Sequence, residues 1–133
     1  MRKHVRAQTR ALFKKFHKEL ERAAQSGDAE SIHDLRVAIR RLRQCLRTFR
    51  VFFPRAKAKK ARRELKRLMD MAAEVRNRDI GAALMLAAGL LNGSPLLAHV
   101  QEERHRAHSI LVAGIRRSSR RYSRKDWRGW LEI

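Results

Sequence analysis

The chain has 133 residues, the size of one ordinary domain and long enough to bury a core of its own. Hydrophobic residues make up 44%, which excludes a disordered basic tail. The 33 Lys+Arg against 13 Asp+Glu give a formal charge of +20, which points to a polyanionic partner: nucleic acid, an anionic membrane or a phosphate polymer.

Only two prolines and six glycines occur, and runs of β-branched residues are absent, so the pattern predicts an all-α fold. In the first segment Val5, Leu12, Phe13, Phe16, Leu20 and Ala23 recur at helical spacing, and the helix should end near Ser26-Gly27. Its polar side carries Lys3, Arg6, Arg10, Lys14 and His17. The N-terminus has no apolar stretch of the kind a signal peptide needs, and it runs on smoothly into this helix.

Asp28 or Ser31 can cap a second helix that extends to Phe53, where Pro54 forces a break. A third helix starts near Pro54 and buries Ala58, Ala61, Leu65, Leu68, Met69, Ala72 and Val75. Its outer side is basic: Lys57, Lys59, Lys60, Arg62, Arg63, Lys66 and Arg67. At Asn77-Arg78-Asp79 two outcomes stay open: Asp79 caps a new short helix, Ile80 to Leu91, or the third helix continues with a kink. That apolar run is too short for a membrane span, which needs about 20 residues.

Asn92-Gly93-Ser94-Pro95 is a firm break, with a stop glycine, a capping serine and a proline at the first helical position. The next helix should bury Leu97, Val100, Ala107, Leu111 and Ile115. A break near Ser118-Ser119 leads to a final helix with Tyr122, Trp127, Trp130 and Leu131. Short connections between such helices imply an antiparallel bundle.

The second helix carries the most information. At 100° per residue, Leu35, Ala38, Ile39, Leu42, Cys45, Leu46, Phe49, Phe52 and Phe53 form one broad apolar arc. His33, Arg36, Arg40, Arg43, Arg47 and Arg50 fall together beside it, a stripe roughly 25 Å long at about 1.5 Å per residue. Arg41 lies on the remaining arc with Asp34, Val37, Gln44 and Thr48. A solvated charged face normally mixes both signs, and this stripe has no acidic member. Planar guanidinium forks donate paired hydrogen bonds to phosphate oxygens, so a ladder of them suits a linear chain of phosphates. Basic rows on the first and third helices can widen the stripe into a groove, and His33 can add a donor when protonated beside phosphate.

Signs of chemistry are few. Acidic residues are scattered, and there is no HExxH pair and no glycine-rich phosphate loop. His99, His105 and His108 read as helix-surface positions rather than metal ligands. Cys45, the single cysteine, falls on the apolar arc as an inert packed thiol; it allows no intramolecular disulfide and fits a reduced, cytoplasmic setting. Asp79 and Arg76 can pair to hold a helix junction, and Trp127 and Trp130 read as core or dimer contacts.

The stretch IHDLRVAIRRLRQCLRTFRVFFP resembles the signature helix of the CHAD family, the conserved histidine α-helical domain. His33, Arg36, Arg40, Arg41, Arg43 and Phe49 match its pattern in place. AEVRNRDIGAAL resembles a second family stretch, Val-Arg-Asp-x-Asp-Val, with Arg76 and Asp79 aligned and Asn77 in place of the first acid. RSSRRYSRKDWRGWLEI resembles the end of a CHAD half.

The resemblance implies a helical domain that binds inorganic polyphosphate through a basic surface; the residues themselves suggest no cofactor or metal. It implies ligand contacts from His33, Arg36, Arg40, Arg43 and Arg76, with Arg41 also in the matching motif. The stripe adds Arg47 and Arg50, and the basic rows beside it add Lys59, Arg62, Lys66 and Arg10. CHAD domains are built as two similar helical halves and this chain has the length of one, so either one bundle suffices or two copies pair as a homodimer to rebuild the two-fold arrangement.

The expectation is therefore an all-α antiparallel bundle equivalent to one CHAD half, spanning 1–133. It is expected to be non-enzymatic, cytoplasmic and associated with polyphosphate granules rather than a membrane. The rivals are a nucleic-acid binder, a phosphohydrolase or its regulatory subunit, and a domain whose basic face binds an acidic protein. No helix-turn-helix pattern and few aromatics for base stacking weigh against the first. The scarcity of clustered acids weighs against the second.

Overall fold

A computed structural model describes residues 1–133. The chain forms α1 (Arg2–Gln25), α2 (Ala29–Thr48), a 3₁₀ turn (Arg50–Phe52), α3 (Arg55–Ala87), α4 (Pro95–Arg121) and α5 (Arg124–Leu131). There is no strand. α3 packs on α2 and α4, and α1 closes the ring by packing on both α2 and α4. α5 lies against α3.

Each long helix turns one apolar face inward. Phe16, Ile32, Leu35, Ile39, Leu42, Leu46, Leu65, Leu68 and Leu111 are fully buried, each contributing about 2 kcal/mol of burial free energy. Trp127 and Leu131 of α5 complete this core, with the Trp127 ring 5.4 Å from Phe16 and 5.8 Å from Phe13. Trp130 stands edge-on to Tyr122 at 4.8 Å. The tryptophans are thus packing groups. Cys45 is buried, its sulfur 3.4 Å from the Thr9 hydroxyl.

Several boundaries differ from the sequence expectation. α2 stops at Thr48 rather than Phe53, because Pro54 holds Phe53 extended (φ −115°, ψ 135°) and the chain tightens into the 3₁₀ turn just before it. Its start is capped by Asp28, whose carboxylate accepts from the Ser31 backbone N–H at 2.8 Å. α3 continues without interruption through Asn77-Arg78-Asp79 to Ala87. It ends in a Schellman turn, with Gly89 at φ 95° and the Leu90 N–H bonded to the Met85 carbonyl at 3.1 Å. The stop therefore comes at Gly89, before Gly93. α4 runs past Ser118-Ser119 to Arg121; Ser118 is buried inside it, and the break falls at Tyr122. Val100 is partly exposed rather than buried.

Asp79 does not pair with Arg76. Its carboxylate accepts from Arg104 Nε at 2.6 Å, and the same guanidinium also donates to the Gly27 carbonyl. Arg104 thus ties α3 and α4 to the α1–α2 turn. Close by, the His108 ring packs on Gly27, where a Cβ would sit 2.6 Å from ring carbon Cε1. On the opposite side of α2, Asp34 accepts from Arg22 of α1 at 2.6 Å.

Removing Arg104 strands a partly buried carboxylate and a turn carbonyl. Arg104→Ala is expected to lower unfolding free energy by about 2 kcal/mol, read from the urea midpoint.

Candidate polyanion-binding cleft

α2 and α3 lie side by side, and the α2 stripe faces the gap between them. Arg40, Arg43, Gln44, Arg47 and Arg50 of the α2 side and Arg62 of α3 line a cleft of about 440 Å³. No carboxylate and no apolar side chain lines it. The four α2-side arginines span about 15 Å at 1.5 Å per residue. Arg50 belongs to the 3₁₀ turn rather than to α2, yet the turn keeps it at the mouth of the cleft.

At the other end of the stripe, Arg36 is partly buried, and its Nε is enclosed without a hydrogen-bond partner. Burial, and then the charges of Arg40 and Arg76, push the Arg36 guanidinium below its ordinary value. Arg76 of α3 is therefore brought up against the stripe. His33 is exposed at the start of the same row.

None of these cations has an acidic partner. His33, Arg36, Arg40, Arg43, Arg47, Arg50, Arg62 and Arg76 are absent from the ion pairs of the molecule. The carboxylates are engaged elsewhere, as in Arg22–Asp34, Arg67–Glu64, Arg78–Glu103 and Arg104–Asp79. Charge is segregated by side.

The basic outer side of α3 divides in two. Lys59 and Lys66 flank Arg62 at helical spacing, but neither lines the cleft, and Lys66 pairs with Asp70 at 2.8 Å. Lys57 reaches Glu132 at 3.7 Å, and Arg67 binds Glu64 at 2.6 Å beside α4, so those two serve packing. Arg10 is exposed on α1 and Arg41 on the α1 side of α2, roughly 130° around the helix from the stripe; neither lines the cleft. Gln44 does line it, a contact that charge patterning passes over because the side chain is neutral.

Among the other histidines, His108 lies 3.3 Å from the Ala23 carbonyl and His99 pairs with Glu103 at 2.8 Å. No three His, Cys, Asp or Glu side chains converge as metal ligands would. No helix is long and apolar enough to cross a membrane.

The family model described as "CHAD domain" matches residues 7–132. No curated protein and no solved structure matches the chain.

The free cleft stores repulsion. Arg36→Met is expected to stabilise the unliganded protein by about 1 kcal/mol, roughly 4 °C in melting temperature for a domain of this size, while weakening polyanion binding. Thermal melts with and without a polyanion would check both signs.

Proposed function

Since the chain belongs to the CHAD family, we propose that it binds inorganic polyphosphate in the α2–α3 cleft and does not turn it over. The observation that carries this is a cleft lined by five arginines and a glutamine, with no counter-charge and no aromatic ring. Guanidinium forks along a helix suit repeated phosphates. Single-stranded nucleic acid is bound largely by stacking bases on aromatic side chains, and the cleft offers none. Here Phe13, Phe16 and Trp127 are spent in the core.

The affinity is mainly electrostatic. Bound phosphates displace counterions, and the repulsion among Arg36, Arg40 and Arg76 is relieved at the same time. With no carboxylate in the cleft, there is no group there to activate water or to share a divalent cation with the phosphates. We place this binding in the cytoplasm, at polyphosphate granules.

The test is a competition titration at near-physiological salt. Labelled polyphosphate is challenged with RNA and DNA at equal phosphate concentration. Polyphosphate is expected to win by about tenfold or more, roughly 1.4 kcal/mol. The triple variant Arg40→Ala, Arg43→Ala and Arg47→Ala should lose most of the affinity. Its slope of log affinity against log salt should flatten by about 0.7 per phosphate contact removed, the value for single-stranded nucleic acid. Equal competition by nucleic acid would reassign the cleft to phosphate chains in general. Phosphate release in the presence of Mg²⁺ would overturn the absence of turnover.

A further inference from the structure

The α2–α3 cleft leaves much of the positive charge without a use. α1, α2, α3 and α4 form a ring, so the α1–α4 side lies across the bundle from the cleft. On that side Arg10 and Lys14 sit on α1 within about 60° of His17, whereas Arg22, which reaches α2, lies about 140° around from it. On α4, Arg116 and Arg120 line a groove against Glu21, Ala24 and Gln25 of α1. Arg124, at the start of α5, joins the two rows: its Nε donates to His17 Nε2 at 2.9 Å.

Arg10, Lys14, Arg116, Arg120 and Arg124 are all exposed. The first four take no part in any ion pair of the molecule. The carboxylate in this groove, Glu21, is already held by His17 at 3.1 Å and by Arg124 at 3.8 Å. Between Glu103 and Asp126 the chain has eight Lys and Arg and no acidic residue, and Asp126 itself is taken up in capping α5.

Building on polyphosphate as the ligand of the cleft, we propose that this α1–α4 face is a second phosphate-chain site, so that one molecule bridges two polyphosphate segments. Arg116 and Arg120 are four residues apart, as are Arg10 and Lys14, which spaces each pair about 6 Å along its helix. Such rows offer successive donors to a chain of phosphates, as the cleft does. The two sites face opposite ways, so the segments they hold come from distant parts of one long polymer or from two polymers. Once the cleft has captured a polymer, its neighbouring segments reach the second face at high effective concentration.

A membrane-binding face would set large apolar side chains beside its cations. Ile80, Leu84, Leu86, Leu91 and Leu96 are exposed instead at the α3–α4 hairpin tip, where residues 80–98 carry no charge. Single-stranded nucleic acid would need rings for stacking. The rings beneath this face are engaged, Phe13, Phe16 and Trp127 in the core and Tyr122 by Trp130.

The triple variant Lys14→Ala, Arg116→Ala and Arg120→Ala removes the face and leaves the cleft intact. Its three side chains are exposed and unpaired, so helicity and melting temperature should not change. Calorimetric titration of the full chain with a short polyphosphate oligomer at about 0.1 M NaCl counts the sites. Light scattering with long polyphosphate reads bridging.

The wild type is expected to bind two oligomers per chain and to scatter with the long polymer. The face variant should bind one oligomer, with cleft affinity within about twofold of the wild type, and lose the scattering. A wild type that binds a single oligomer overturns the proposal, and so does a face variant that scatters as strongly as the wild type. A cleft variant (Arg40→Ala, Arg43→Ala, Arg47→Ala) that binds as the wild type does would overturn the cleft as a site and leave the face as one. Polyglutamate that displaces the oligomer from the cleft variant at equal charge would reassign the face to an acidic protein.

Discussion

The uncompensated repulsion along the α2–α3 cleft is the constraint around which the rest of this molecule is arranged. Arg40, Arg43, Arg47, Arg50 and Arg62 share one cleft with no acidic group, and the charges of Arg40 and Arg76 act on the partly buried Arg36 at its end. Such an arrangement lowers the stability of the free fold and must be held against its own field. What holds it is the apolar side of the same helix. Ile32, Leu35, Ile39, Leu42 and Leu46 are fully buried, and their burial outweighs the modest repulsion of a solvent-screened stripe.

The few carboxylates follow from the same constraint. Several latch helices to one another: Asp34 against Arg22 between α1 and α2, Asp79 against Arg104 between α3 and α4, Glu132 against Lys57 between α3 and the end of α5. A carboxylate placed in the cleft would quiet the repulsion and compete with an incoming phosphate. With carboxylates kept out of the cleft, its cations stay unpaired.

The uncharged hairpin tip extends this division. The molecule has a basic cleft with no acidic lining, ion-paired latches between helices, and an apolar overhang free of charged residues.

The sequence by itself determined the all-α class, the inward faces of the helices and the composition of the α2 stripe. These follow from the 3.6-residue period and from local chemistry: Asp28 at a helix start, Pro54 at a break, like charges recurring three and four residues apart. Tertiary structure decided what period and propensity leave open. Whether α3 stops or continues at Asn77-Arg78-Asp79 depended on whether Asp79 capped a helix or met a distant partner, and Arg104, 25 residues on, took it. Arg62 shares a basic helix side with Lys57, Lys59, Lys66 and Arg67, yet packing brings only Arg62 into the cleft, while Lys57, Lys66 and Arg67 pair with Glu132, Asp70 and Glu64. Gln44, placed with Arg41 on the arc beside the stripe, joined the cleft for the same reason, whereas Arg41 stayed off it as its helical angle requires. A helical wheel gives the angle of a side chain about its own axis, whereas the partner at that angle is set by how helices distant in sequence pack together.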